Sequence, residues 1–111
     1  MLAKFNSTIT LKNKFGVIIP AVDGLEKPYI HKFQVMLSKM FGGASTIEIE
    51  GYYVMKNNDL CKDDNIMVYA YYNEMTEKQE EEIVNLIQEM KVALKQECIG
   101  IEYKNQFTMV F

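Results

Sequence analysis

The stretch from Thr76 to Leu94 has the pattern of an amphipathic helix at every level that can be read from residues. Ile83, Leu86, Ile87, Met90, Ala93 and Leu94 recur at helical spacing and make one apolar stripe. Thr76 and Gln79 stand in the relation of a capping box. Glu77, Glu80, Glu81 and Glu82 gather where the helix dipole is positive, and Lys91 and Lys95 where it is negative. A helix with one apolar stripe has to bury it against another layer. The rest of the chain must therefore supply that layer.

Most of the remaining segments have the two-residue period of strands. Phe5–Leu11 alternates apolar and polar residues, and Phe15–Ile19 is a short apolar run stopped by Pro20. Asp23-Gly24 breaks the chain, and a first helix is expected from about Pro28 to Phe41, closed by Gly42-Gly43. Its stripe is Ile30, Phe33, Leu37, Met40 and Phe41. Thr46–Met55 reads as a strand with Glu48, Glu50, Tyr52 and Val54 on one face. A polar loop over Lys56–Asn65, a strand over Ile66–Tyr72, and two last strands, Cys98–Tyr103 and Gln106–Phe111, complete the order. This is one α+β domain over residues 1–111 with a ferredoxin-like β-α-β-β-α-β core and extra terminal strands. Both helices should cover one face of an antiparallel sheet. The other face should carry Tyr52, Val54 and one set among Met67, Tyr69 and Tyr71. That face is too apolar to stay wet, so a homodimer is expected.

Composition removes several classes of function. The chain carries a net charge of −3 and its 12 basic residues are all Lys. Non-specific nucleic-acid binding needs a positive surface, and the bidentate grip on phosphate or guanine needs Arg. No direct nucleic-acid binding is expected. No apolar run approaches a membrane span, the N-terminus lacks a signal peptide, and Cys61 and Cys98 make no disulfide framework. These features point to a reducing cytoplasm.

No catalytic motif stands out, and no cofactor or metal is implied. His31, the single histidine, falls on the polar side of the first helix, where surface use outweighs catalysis. Asp59, Asp63 and Asp64 could attract a hard cation, but turn chemistry explains them as well. Glu48 and Glu50 point the same way from one strand. With Tyr52, and either Tyr69 or Tyr71, they could line a binding patch on the sheet. Glu77, Glu80 and Glu81 form a second candidate surface for a partner, against the simpler reading of a charged helix start.

Phe41-Gly42-Gly43 at a helix end, Thr46 opening a strand, Gly51-Tyr52, and a long helix running into Gln96-Glu97-Cys98-Ile99 form a recurring set. It resembles a broad group of small, mostly uncharacterised ferredoxin-like proteins of phages, plasmids and bacteria. The likeness spans roughly Ile30 to Tyr103; the place of Tyr52 is often Trp in that group, and no catalytic residue is part of the pattern. The resemblance implies a non-enzymatic mobile-element protein acting stoichiometrically on a host defence system. Its target would be a host defence protein or a nucleotide signal. Two alternatives stand beside it: a dimeric ferredoxin-like small-ligand protein or enzyme, and a structural or assembly subunit.

Overall fold

The computed structural model describes residues 1–111. Eight residues, Asn13–Pro20, form β1 at the centre of the molecule. Then follow α1 (Lys27–Phe41), β2 (Ser45–Val54), β3 (Leu60–Tyr72), α2 (Glu77–Ala93), β4 (Ile99–Tyr103) and β5 (Gln106–Val110). The strands make one antiparallel sheet in the order β2-β3-β1-β4-β5. The β-α-β-β-α-β order expected from the sequence is present, with β5 added outside β4.

The helices begin and end for local reasons. Pro28 lies in the first turn of α1, where its missing N–H costs nothing. Gly42 closes that helix at φ 90°, a left-handed conformation that glycine adopts freely, and its N–H bonds the Ser38 carbonyl. In α2 the Thr76 hydroxyl accepts from the Gln79 N–H at 3.1 Å and the Gln79 side chain accepts from the Thr76 N–H at 3.0 Å.

Both helices pack on one side of the sheet. The core joins Phe15, Val17 and Ile19 of β1 to Val68, Ala70 and Tyr72 of β3, Ile99 of β4, Phe33 and Leu37 of α1, and Ile83, Ile87 and Met90 of α2. Phe41 stacks on Tyr72 with ring centroids 4.9 Å apart and seals the end of α1 against the sheet.

Three expectations need correction. Phe5–Leu11 is not a strand: residues 1–12 are exposed and no strand pairs with them, so alternation alone did not suffice. The arm is fastened near its end, where the Lys12 N–H bonds the Asn73 side-chain oxygen at 3.0 Å. Nor is Lys56–Asn65 wholly a loop. The turn is confined to the residues around Asn57–Asp59, and β3 starts at Leu60, because each residue from Leu60 to Asn65 finds a partner on β2. Finally, Tyr52 does not share a face with Met67, Tyr69 and Tyr71. The pairing of Glu48 with Ile66 puts Glu48, Glu50 and Tyr52 on the side of Ile66 and Val68, which is the helix side.

The uncovered face carries Ile18, Ile47, Tyr69, Tyr71, Phe107 and Met109. Met67 lies among them yet is 2% exposed. Gly16 makes room for it: a Cβ there would lie 2.8 Å from the Met67 sulfur.

Candidate functional site

The hairpin of β2 and β3 runs past the helices, so the outer part of its helix-side face is open. Register decides what gathers there. Tyr52 lies opposite Lys62, Glu50 opposite Asp64, and Glu48 opposite Ile66. Partners in an antiparallel pair project to the same face, so these side chains converge. All but Tyr52 line a recess of about 600 Å³ whose walls are Ala21, Glu48, Ile49, Glu50, Lys62, Asp64, Asn65 and Ile66.

Within it, Glu50 is held by two donors. The Tyr52 hydroxyl donates to one carboxylate oxygen at 2.9 Å. The Lys62 ammonium lies 3.3 Å from the other and 3.3 Å from Asp64. Donation from Tyr52, and then the hydrogen bond and charge of Lys62, hold the Glu50 carboxyl below its ordinary value. The same bond, which would be lost on ionisation, raises the Tyr52 phenol. Glu50 and Asp64 together raise Lys62. All of these groups are open to solvent, so the directions describe a preorganised polar cluster more than a stabilising one. Glu48 carries no such partner and is exposed. On the inner side, the Gln34 amide of α1 donates to Thr46 of β2 at 2.9 Å and ties the helix to the strand beside the cluster.

The structure thus brings Glu48, Glu50 and Tyr52 together and separates them from the other two tyrosines. Tyr69 and Tyr71 lie on the opposite face, ring centroids 5.9 Å apart, with the Lys14 ammonium 4.5 Å over the Tyr69 ring. Glu77, Glu80 and Glu81 are exposed on α2, a different element. Asp63 and Asp64 also part company, being neighbours in a strand, and no cluster of three or more metal-ligating side chains forms. Cys61 lies in β3, half-buried beside Tyr53, whose phenol is raised by the thiol and by Asp63.

Lys62, Asp64 and Asn65 were hidden inside a stretch that read as loop. The signal for them was Asn57-Asn58-Asp59, a run of turn residues: centring a hairpin there sets Lys62 against Tyr52. Asn58 takes φ 68°, a left-handed conformation that Asn tolerates better than most residues. A larger cleft of about 800 Å³ lies between α1 and α2, with His31, Lys39 and Lys78 on its walls and Met36, Met40 and Leu86 below. Lys32 and Glu82 also line it, and Lys32 pairs with Glu89 at 3.2 Å, so its charged groups are mainly basic where those of the hairpin recess are mainly acidic.

No family model and no curated protein sequence matches the chain. Two solved structures do. One is a phage SAM lyase in complex with S-methyl-5'-thioadenosine, with a TM-score of 0.53 and 14% identity, over 96% of this chain and 95% of that one. The other is a phage SAM lyase in the apo state, with a TM-score of 0.51 and 12% identity, over 95% of this chain and 94% of that one. At such identities the likeness is one of fold, and it runs nearly end to end. It bears out the resemblance to small phage α+β proteins at that level. It also contradicts the expectation of a non-enzymatic, stoichiometric inhibitor, because the solved proteins that share the fold are enzymes.

Proposed function

We propose that the protein is a small-ligand enzyme that binds S-adenosylmethionine in the hairpin recess and cleaves a carbon–sulfur bond of it. Two facts support the reading together: a near full-length fold likeness to a SAM lyase, and one recess where carboxylates gather, one of them held by a tyrosine hydroxyl. Its volume falls in the range of about 300–1,000 Å³ usual for small-molecule sites. S-Methyl-5'-thioadenosine is S-adenosylmethionine without its aminobutyryl arm. Releasing it breaks the bond between sulfur and that arm, and the electron pair stays on sulfur, which becomes a neutral thioether. The sulfonium is a compact cation, suited to carboxylates and to the face of a tyrosine ring.

The chemistry assigns different work to the residues. Positive charge disappears as the bond breaks, so a carboxylate beside it favours bound substrate over the transition state. Glu50, fixed by Tyr52 and Lys62, therefore serves to capture and orient the cation. Glu48, free of partners, is the group available to take a proton from the arm carbon next to the one that bears sulfur. The electron pair of that C–H bond becomes a carbon–carbon double bond as the carbon–sulfur bond breaks, and the arm leaves as an unsaturated amino acid. Loss of a methyl donor would also suit a phage-type protein acting against its host. Incubation of the purified protein with S-adenosylmethionine, followed by mass spectrometry, tests the reading. Accumulation of S-methyl-5'-thioadenosine beyond one equivalent is expected. Binding without turnover would reduce the protein to a sequestering one.

We further infer that two copies associate through the uncovered sheet face. The support is its apolar content, with Tyr71 50%, Phe107 61% and Met109 53% exposed.

A further inference from the structure

Phe5–Leu11 has the pattern of a strand and no strand of its own chain to pair with. Phe5, Ile9 and Leu11 fall on one side of the alternation, and Asn6, Thr8 and Thr10 on the other. The segment is rich in strand-forming residues and carries neither charge nor proline. No backbone N–H or C=O from Asn6 to Leu11 takes part in a hydrogen bond of the chain. Its apolar side chains stand in water: Phe5 is 59%, Ile9 88% and Leu11 43% exposed. Only the root of the arm is fixed. There the Asn73 side chain accepts the Lys12 N–H and the Asn73 carbonyl accepts from the Asn13 side chain, both at 3.0 Å.

The sheet ends in two open edges, β2 and β5. An open edge presents unpaired backbone groups, which natural chains commonly blunt with Lys or Pro. Along Ser45–Val54, β2 has neither. Three observations make β2 the acceptor for a strand such as the arm. With ten residues against five in β5, it is long enough to pair with all of Phe5–Leu11. The arm also leaves on its side of the sheet, since Leu11 walls a small recess with Phe41, Gly42, Ser45 and Tyr71. Finally, the faces agree. Ile47 and Tyr53, 42% and 50% exposed, project to the uncovered face and would flank Phe5, Ile9 and Leu11. Thr46 and Glu48, on the helix side, would flank Thr8 and Thr10.

The arm does not lie on its own β2, so the edge it fits is that of another molecule. We propose that two copies of this chain exchange arms, Phe5–Leu11 of each adding as a strand to the β2 edge of the other. Main-chain hydrogen bonds supply the contact, as in other cases of strand addition. The exchange is mutual, so a two-fold arrangement closes and leaves no free arm. The inference is independent of the proposed chemistry. It gives the association through the uncovered face a second contact.

Amide hydrogen exchange of the whole protein, read by mass spectrometry from about 1 μM to about 1 mM with sedimentation alongside, tests this. In the associated protein the Phe5–Leu11 peptide should exchange at least about tenfold more slowly than at dilution. Ser45–Val54 should slow with it, and Gln106–Val110 should not. Thr8→Pro with Ile9→Pro removes one N–H of each orientation, so pairing fails whichever set faces β2. Both positions are exposed, so the fold is retained. The variant should associate at least about tenfold more weakly than wild type, and equal association would overturn the inference. Arms that exchange freely at every concentration overturn it too; a wild type that still associates then does so through the sheet face alone. Protection that persists in the dilute monomer puts the arm on its own chain, and protection of Gln106–Val110 in place of Ser45–Val54 puts it on the wrong edge. Either result overturns the exchange, and none of these outcomes bears on turnover of S-adenosylmethionine.

Discussion

Glu50 is bonded on both sides, and the pH dependence of the hairpin follows from that. Its folded value is lowered from 4.5, so its contribution to the hairpin is fully present above 4.5 and is lost as pH falls through the lowered value. Lys62 works in the opposite sense. Its value is raised from 10.5, so its contribution is present below 10.5 and is lost as pH rises through the raised value. The difference in melting temperature between wild type and Glu50→Gln should thus be greatest near neutrality and shrink toward zero in acid below pH 4.5. In catalysis, Glu50→Gln should raise KM by about tenfold and change kcat less, the signature of a group that binds the cation in the ground state. Two glycines of the sheet offer a contrast. An alanine Cβ at Gly16 would meet the Met67 sulfur at 2.8 Å and the Tyr69 Cβ at 3.3 Å, with Met67 already buried. Gly16→Ala should cost about 1–3 kcal/mol in denaturant unfolding, as overpacking does. Gly100→Ala would meet the Phe107 ring at 2.8 Å, but that ring is 61% exposed and can swing away, so the cost should be smaller.

Among the elements, α2 was fully legible in the sequence because its cap, its end charges and its apolar stripe all agree. Thr76→Ala removes one half of the capping box and should lower stability by about 1 kcal/mol in chemical denaturation. The outer half of β3 was not legible. Lys62, Asp63, Asp64 and Asn65 are poor strand formers, and they are extended because β2 offers them partners and Asn57–Asp59 turns the chain tightly. The reverse held for Phe5–Leu11, where strand-like alternation meets no neighbouring edge. Alternation also revealed that Glu48, Glu50 and Tyr52 share a face, but not which face. That depended on the register with Ile66, and so did the separation of Tyr69 and Tyr71 from the site.

At the scale of the molecule, the hairpin and arm draw the chain out to 56 × 32 × 22 Å, and one sheet face stays uncovered. No helix is long and apolar enough to cross a membrane. If two copies bury the uncovered face, sedimentation should give twice 12.9 kDa, and Tyr71→Glu with Ile47→Glu should return the mass to 12.9 kDa without loss of helix content. The central claim concerns the recess on the opposite side of the sheet, and one measurement reaches it most directly. S-Adenosylmethionine in large excess should be converted to S-methyl-5'-thioadenosine by the wild type, over many equivalents. Glu48→Gln should fall to no more than about a hundredth of that rate, the scale of a lost general base. Equal turnover by the variant would remove the chemistry from the hairpin recess, and no turnover by the wild type would contradict the account.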